Sequence, residues 1–325
     1  MNQAPPPALG HGSDSRLALA LDLGGTKVEA ALVDASGRLV PGTRVRQPTG
    51  PEASPAELAA SVERVLHDVL PVDAPEIAGV GIGSAGPVDA ARGLISPLNL
   101  PVWRDYPLVA QVEAVVESLV GPRPVTLRMD GLCIALAEHW VGAGRGVDDL
   151  MGMIVSTGIG GGLILGGRAI AGPSGNAGHV GHLEVAGFVD PCACGGTGCI
   201  EAVASGPKTV AWARSQGWTG STGEELGAAY AAGDEIARAA VRRSGRAIGQ
   251  AIAAATALVD LSVVAIGGGF SRVTPDLFDL IREPIAEHDF PFVRKVRVVP
   301  SDLSDEGPLI GAAALVHRAE MVPAV

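Results

Sequence analysis

Apolar positions in this chain gather into short runs that end on glycine or on a carboxylate, and this punctuation predicts most of its elements. The run LALAL at Leu17–Leu21 stops at Asp22, turns through Gly24, Gly25, Thr26 and Lys27, and resumes as VEAALVD. Two short apolar runs about a glycine turn predict strand, tight turn, strand. RLVPGTRVRQ predicts a third strand. Ser54 followed by Pro55 marks a helix start, with the helix running to about Leu70. IAGVGIGS at Ile77–Ser84 predicts a buried strand entering the loop AGPVD. A helix over residues 107–120 and a strand at Val125–Arg128 follow, and that strand leads into Asp130 and the helix GLCIALAEHWVGAG. Three antiparallel strands followed by alternating helix and strand predict an α/β lobe.

The pattern then repeats. DLMGMIVS predicts a strand, STGIGGG a glycine turn and LILGG another strand. Helices are expected at about 206–216, 222–232 and 234–259. The strand LSVVAIGGG follows, then a helix over 274–288 capped by Thr274, the strand VRVVPS and the helix GPLIGAAALVHRA. Two halves that each open with strand, glycine turn and strand point to a duplication. The expected division is a disordered tail at 1–15, a small lobe at 16–129 completed by the helix at about 306–320, and a large lobe at 130–305.

Composition adjusts this picture in three ways. A length of 325 residues exceeds the ~250–300 at which one core gives way to two, which supports two lobes. Apolar residues make up 47% but aromatic residues only 3%, so the core must be built from Ala, Val, Leu and Ile with glycine allowing close approach. A net charge of −11 argues against a nucleic-acid partner, which needs a basic face, yet leaves a nucleotide open. No apolar run reaches the ~18 residues of a membrane span, and no signal-peptide centre is present. Four cysteines, three of them clustered, do not form a secreted disulfide framework, so a cytoplasmic protein is expected.

The glycine turns carry the first chemical signal. A hairpin needs only Gly-Gly, but Asp22-Leu-Gly-Gly-Thr-Lys27 also offers converging backbone N–H groups, two side-chain donors and a carboxylate able to hold Mg²⁺ through water. Ser156-Thr-Gly-Ile-Gly-Gly-Gly162 repeats the arrangement with Thr157, Gly158, Gly160 and Gly161. Gly267, Gly268 and Gly269 then end a third buried strand. Three glycine turns after three buried strands point to nucleotide binding rather than to packing alone.

Asp130 has two readings. It is an ordinary helix N-cap, or a general base that takes the proton of a substrate hydroxyl as a phosphoryl group arrives. His182, Cys192, Cys194 and Cys199 form H-x9-C-x-C-x4-C with glycines between, the donor set of a closed structural Zn²⁺ site. His179 and Glu201 flank that set as surface residues or as groups that recognise hydroxyls. Cys133, in an apolar run, reads as a buried thiol.

Together these residues resemble the ROK family (repressor, open reading frame, kinase) from Leu17 to His317. DLGGTK, STGIGGG, GHx9CxCGGxGCxE and IGGG stand in the family's order. The resemblance implies a two-lobed actin-like/hexokinase-like (ribonuclease H-like) ATPase fold with a structural zinc loop. It also implies a cytoplasmic sugar kinase, commonly a homodimer, that binds a sugar and Mg·ATP. Carried over by position, Asp130 is the catalytic base, and His179, His182 and Glu201 face the sugar. Asp22, Gly24, Gly25, Thr26 and Lys27 belong to the first phosphate motif. Thr157, Gly158, Gly160 and Gly161 belong to the second, and Gly267–Gly269 to the adenosine motif. The family's Asn-Asp is here Met129-Asp130, and its Glu-x-Gly-His is His179-Val-Gly-His182; the latter resembles bacterial N-acetylmannosamine kinases of the family, which however keep the Asn. Glucose is the default substrate, and an amino sugar is the alternative. The repressors of the family carry a helix-turn-helix ahead of the first glycine turn, where this chain has about twenty Pro-rich, non-basic residues.

Overall fold

The computed structural model describes residues 16–70, 75–303 and 305–324; the tail expected at residues 1–15 lies outside them. In the first half come strands β1 (Leu17–Leu23), β2 (Lys27–Val33) and β3 (Val45–Pro48), helix α1 (Pro55–Val69) and β4 (Ile77–Ser84). The small pair β5 (Val88–Asp89) and β6 (Leu94–Ile95) follows, then α2 (Leu108–Val120), β7 (Val125–Met129) and α3 (Asp130–Trp140). The second half has β8 (Leu150–Val155), β9 (Ile159–Leu165), β10 (Arg168–Ala169), α4 (Ile200–Ala204), α5 (Gly206–Ser215), α6 (Gly223–Ala231) and α7 (Glu235–Val259). It closes with β11 (Val263–Gly267), α8 (Leu277–Ala286), β12 (Arg297–Pro300) and α9 (Gly307–His317).

The two principal sheets are wired alike. Their orders are β3-β2-β1-β4-β7 and β10-β9-β8-β11-β12. In each, a hairpin pairs antiparallel with its neighbours, and the next two strands add in parallel. The expected third strand is shorter than RLVPGTRVRQ. Leu39 makes one bridge to Val33, the chain turns, and only Val45–Pro48 pairs with β2.

Helix starts follow from capping. Ser54 accepts the N–H of Glu57, whose carboxylate accepts the N–H of Ser54 at 2.8 Å, and Thr222 and Glu225 repeat the box at α6. The helix expected at 274–288 begins instead at Leu277. Gly267–Gly269 leads first into a 3-10 turn at Phe270–Arg272, and Thr274 accepts the N–H of Asp276, which holds residues 274–276 outside the helix.

Small residues set the packing. Helices α3 and α9 lie between the sheets, α3 against β8 and β9, α9 against β1 and β4. A Cβ added at Gly311 would lie 1.9 Å from the Cys133 carbonyl oxygen, and one at Gly81 would lie 1.8 Å from that of Ala312. At these two contacts the backbones leave no room for a side chain larger than hydrogen. No helix among the described residues is long and apolar enough to cross a membrane.

Candidate active site

The turn between β1 and β2 is closed by the Gly24 N–H donating to the Lys27 carbonyl at 2.9 Å. Thr49 braces it, donating its N–H to the Thr26 carbonyl at 3.0 Å and its hydroxyl to the Gly24 carbonyl at 2.9 Å. Asn99 lies directly over Gly25, where an added Cβ would be 2.4 Å from its Nδ2. An exposed Asn in a Pro-rich loop has no sequence signature, and only the fold brings it here. Asp22, at the end of β1, is buried, and its pKa is pushed up to about 7. Burial is the main cause; Asp130 and Glu29 add to it, while Lys27 and Arg44 oppose it. A carboxylate so poorly compensated is suited to a divalent cation. Lys27 is not a free donor, because its ammonium is paired with Glu29.

The second turn, between β8 and β9, is tied to the start of α5, where the Gly206 N–H donates to the Ser156 carbonyl at 2.9 Å. Glu201, on α4, accepts the N–H of Ile159 at 2.9 Å. A Cβ on Gly158 would sit 2.6 Å from the same carboxylate oxygen, so glycine there makes room for Glu201. Gly160 faces open space, whereas a Cβ on Gly161 would meet the Gly152 carbonyl at 2.6 Å and Val180 at 2.7 Å. The third turn closes on the second: Gly268 has a φ of +97°, and its added Cβ would lie 2.5 Å from the Val155 carbonyl oxygen. Between these two turns opens a cavity of about 530 Å³, lined by Thr157, Gly206, Thr222, Gly269, Phe270 and Arg272. Its volume lies in the range of small-molecule sites.

Asp130 is the first residue of α3, and Met129 takes the cap position. Its carboxylate therefore does not cap the helix from outside; it accepts the N–H of Gly131 at 2.7 Å. Burial raises its pKa to about 6; the Gly131 bond works against this, and the charge of Glu201 adds to it. Asp130 thus acts on Asp22, and Glu201 on Asp130, although the three stand on β1, α3 and α4.

The four expected metal donors converge. The nearest ligand atoms of His182, Cys192, Cys194 and Cys199 all lie within 4.8 Å of one another. His182 Nδ1 is 3.5 Å from Cys192 Sγ, and Cys194 Sγ is 3.6 Å from Cys199 Sγ. A tetrahedron with bonds of ~2.0–2.3 Å to N and S has edges of roughly 3.5–3.8 Å, so these two separations match a zinc-sized ion and the remaining ones stay within 4.8 Å. Backbone bonds shape the loop around them: Cys192 donates to the Gly196 carbonyl at 3.0 Å and Gly198 to that of Asp190 at 2.8 Å.

The ROK family model matches residues 18–319. This chain belongs to the ROK family. Among ROK relatives it is 31% identical to the glucokinase of Thermotoga maritima over 319 residues, 92% of this chain and 97% of that one. It is 34% identical to the N-acetylmannosamine kinase of Yersinia pseudotuberculosis over 305 residues, 91% of this chain and 96% of that protein. The crystal structure of a ROK glucokinase from Streptomyces griseus, in complex with glucose and AMPPNP, superposes with a TM-score of 0.78 at 29% identity, covering 93% of this chain and 99% of that one.

The two departures from the usual ROK motifs meet at one place. A Cβ on Gly86 would lie 2.8 Å from His179 Cε1, 3.0 Å from its Nε2 and 3.4 Å from Met129 Sδ. His179 and Met129 therefore stand side by side against the loop after β4. The His179 ring lies 5.8 Å from that of His182, and burial, then the neighbouring His182, lowers its pKa. A neutral imidazole has one donor and one acceptor, where a glutamate would only accept.

Proposed function

We propose that this protein is an ATP-dependent hexose kinase that phosphorylates the sugar 6-hydroxyl, with Asp130 as general base. The observation that carries this reading is the partly buried Asp130 carboxylate at the start of α3, within electrostatic reach of Asp22 and Glu201. Its raised pKa keeps it basic enough to accept a proton near neutrality. The hydroxyl proton passes to Asp130 as the sugar oxygen bonds to the γ-phosphorus and the bond from that phosphorus to ADP breaks. Mg·ATP would lie along the turns at Gly24–Lys27 and Thr157–Gly161, with Asp22 toward the metal. The adenosine would enter the cavity beside Gly267–Gly269. His179, His182 and Glu201 would hold the sugar hydroxyls.

His182, Cys192, Cys194 and Cys199 would hold a structural Zn²⁺, which with four protein ligands keeps no open position and serves to fix the loop. The fold is read as the two-lobed actin-like arrangement, with residues 16–129 and α9 as one lobe and 130–305 as the other. The packing of α9 on β1 and β4, and of α3 on β8 and β9, supports that division. The four cysteines are all free thiols, in keeping with a cytoplasmic enzyme, and a homodimer is the assembly the family resemblance favours.

The side-by-side placement of His179 and Met129 favours a second substrate, N-acetylmannosamine or another amino sugar. A site built around a polar contact rejects analogues that lack it, so changing an acceptor to an imidazole bears directly on substrate choice. A coupled ADP-release assay across glucose, mannose, fructose, N-acetylglucosamine and N-acetylmannosamine decides both points. Turnover with glucose supports the first substrate, and turnover confined to an amino sugar supports the second. Sugar binding without ADP release from any of them would overturn the kinase assignment.

A further inference from the structure

Glu29 is a fully buried carboxylate held by more positive charge than it needs. It lies on β2 directly opposite Asp22 on β1 and opposite Arg46 on β3, so the three share one face of the sheet. One oxygen pairs with the Lys27 ammonium. The other takes Arg46 at 2.6 Å and Arg44 at 3.0 Å. Arg44 also reaches Asp305 at 2.9 Å, just before α9. A buried carboxylate must keep a partner, because breaking such a pair leaves an uncompensated charge. Glu29 keeps two partners even when Lys27 leaves. Lys27 is the partner placed to leave: Arg46 is more exposed but stands on β3, whereas the 31% exposed Lys27 projects from the end of the glycine turn beside Asp22.

We propose that Lys27 is shared between two sites, parked on Glu29 when the turn is empty and passed to the phosphates of the donor nucleotide when they arrive. Arg44 and Arg46 make this exchange possible by holding Glu29 ionised after Lys27 departs. Glu29 is thus a positioning residue, a competitor that sets how readily the turn accepts a polyphosphate chain. This rests on the assignment of the Gly24–Lys27 turn to ATP.

The exchange predicts a gain where an ordinary structural ion pair predicts a loss. In Glu29→Gln the parked state is weakened, so ATP and AMPPNP should bind roughly twofold to fivefold tighter by calorimetry, the scale of one partly exposed ion pair. The sugar KM should stay unchanged. Lys27→Gln should weaken nucleotide binding by a similar factor. In the double variant Lys27→Gln/Glu29→Gln the gain should vanish. If the gain persists without Lys27, it is the effect of one less negative charge near the turn, and the exchange is refuted. Weaker nucleotide binding in a folded Glu29→Gln would overturn it too. Should Glu29→Gln fail to fold, Arg46→Gln tests the same point on an exposed side chain. Loosening Glu29's other partners makes Lys27 harder to release, so nucleotide affinity should fall, and unchanged affinity counts against the proposal. Failure of the wild-type protein to bind ATP would instead refute the kinase assignment, and the two failures are told apart by that control.

Discussion

The two halves of the chain share one wiring but carry different kinds of residue. Between β3 and β4 the first half inserts a single helix, α1. At the corresponding place, between β10 and β11, the second half inserts the metal-donor loop and α4–α7. His179, His182, the three clustered cysteines and Glu201 all lie in that one connection. The two most perturbed carboxylates come from the first half instead, Asp22 from the end of β1 and Asp130 from the start of α3, directly after β7. Strand ends held in a sheet position reactive groups rigidly. A long connection, once pinned, can be varied without disturbing them. The halves then exchange helices, α3 packing on the second sheet and α9 on the first, and Asp130 comes within electrostatic reach of Glu201.

The sharpest way to break this division is at Asp130. In Asp130→Asn the geometry is kept and the proposed base removed, so kcat should fall by about 10³-fold, within the range general-base catalysis supplies. The sugar KM and the metal content should hardly move if the residues proposed to recognise the sugar, all in the other half, do so. The pH profile checks the same residue. The base must be ionised to act, and its pKa of about 6 means that kcat/KM should decline as pH falls through 6. An acid limb near 4 would place the base elsewhere.

A smaller effect is expected from the other half. Cys194 is exposed and lies 3.6 Å from Cys199, so Cys194→Ser removes one donor with little loss of packing. Metal content by mass spectrometry should drop, and the sugar KM should rise by about tenfold to a hundredfold, the scale seen when metal sites lose support. ATP affinity should be unchanged. If kcat fell while the sugar KM stayed the same, recognition and chemistry would not be divided as described.

Much of this was legible because strand–glycine–strand punctuation and the spacing of thiols are local signals. The repeated wiring, the capped helices and the convergence of the four donors all follow from residues near one another in sequence. What escaped the sequence depends on register and on long-range approach. Glu29 stands among ordinary strand residues until β1 and β3 bring Asp22 and Arg46 beside it, and Lys27 therefore looked like a free donor. Asn99 meets Gly25 only through the loop after β6. The start of α8 slipped by three residues because Thr274 engages Asp276 locally, a competition that spacing alone does not resolve.

Glycines that looked equivalent in the second turn provide the finest test. Gly161 and Gly160 were both assigned to the phosphate motif. Gly161 is closed in by the Gly152 carbonyl and Val180, while Gly160 has nothing within 4 Å of its added Cβ. Gly161→Ala should therefore cost about 1–3 kcal/mol of stability through overpacking, whatever its effect on binding. Gly160→Ala should leave the melting temperature unchanged or slightly raised, since alanine suits a strand interior better than glycine. Its effect should appear in the ATP KM alone, as a rise of severalfold, because the new methyl occupies space that a phosphate needs to reach the backbone. An unchanged ATP KM in Gly160→Ala would show that the nucleotide does not approach this strand, and that the second turn, unlike the first, owes its glycines to packing and to Glu201.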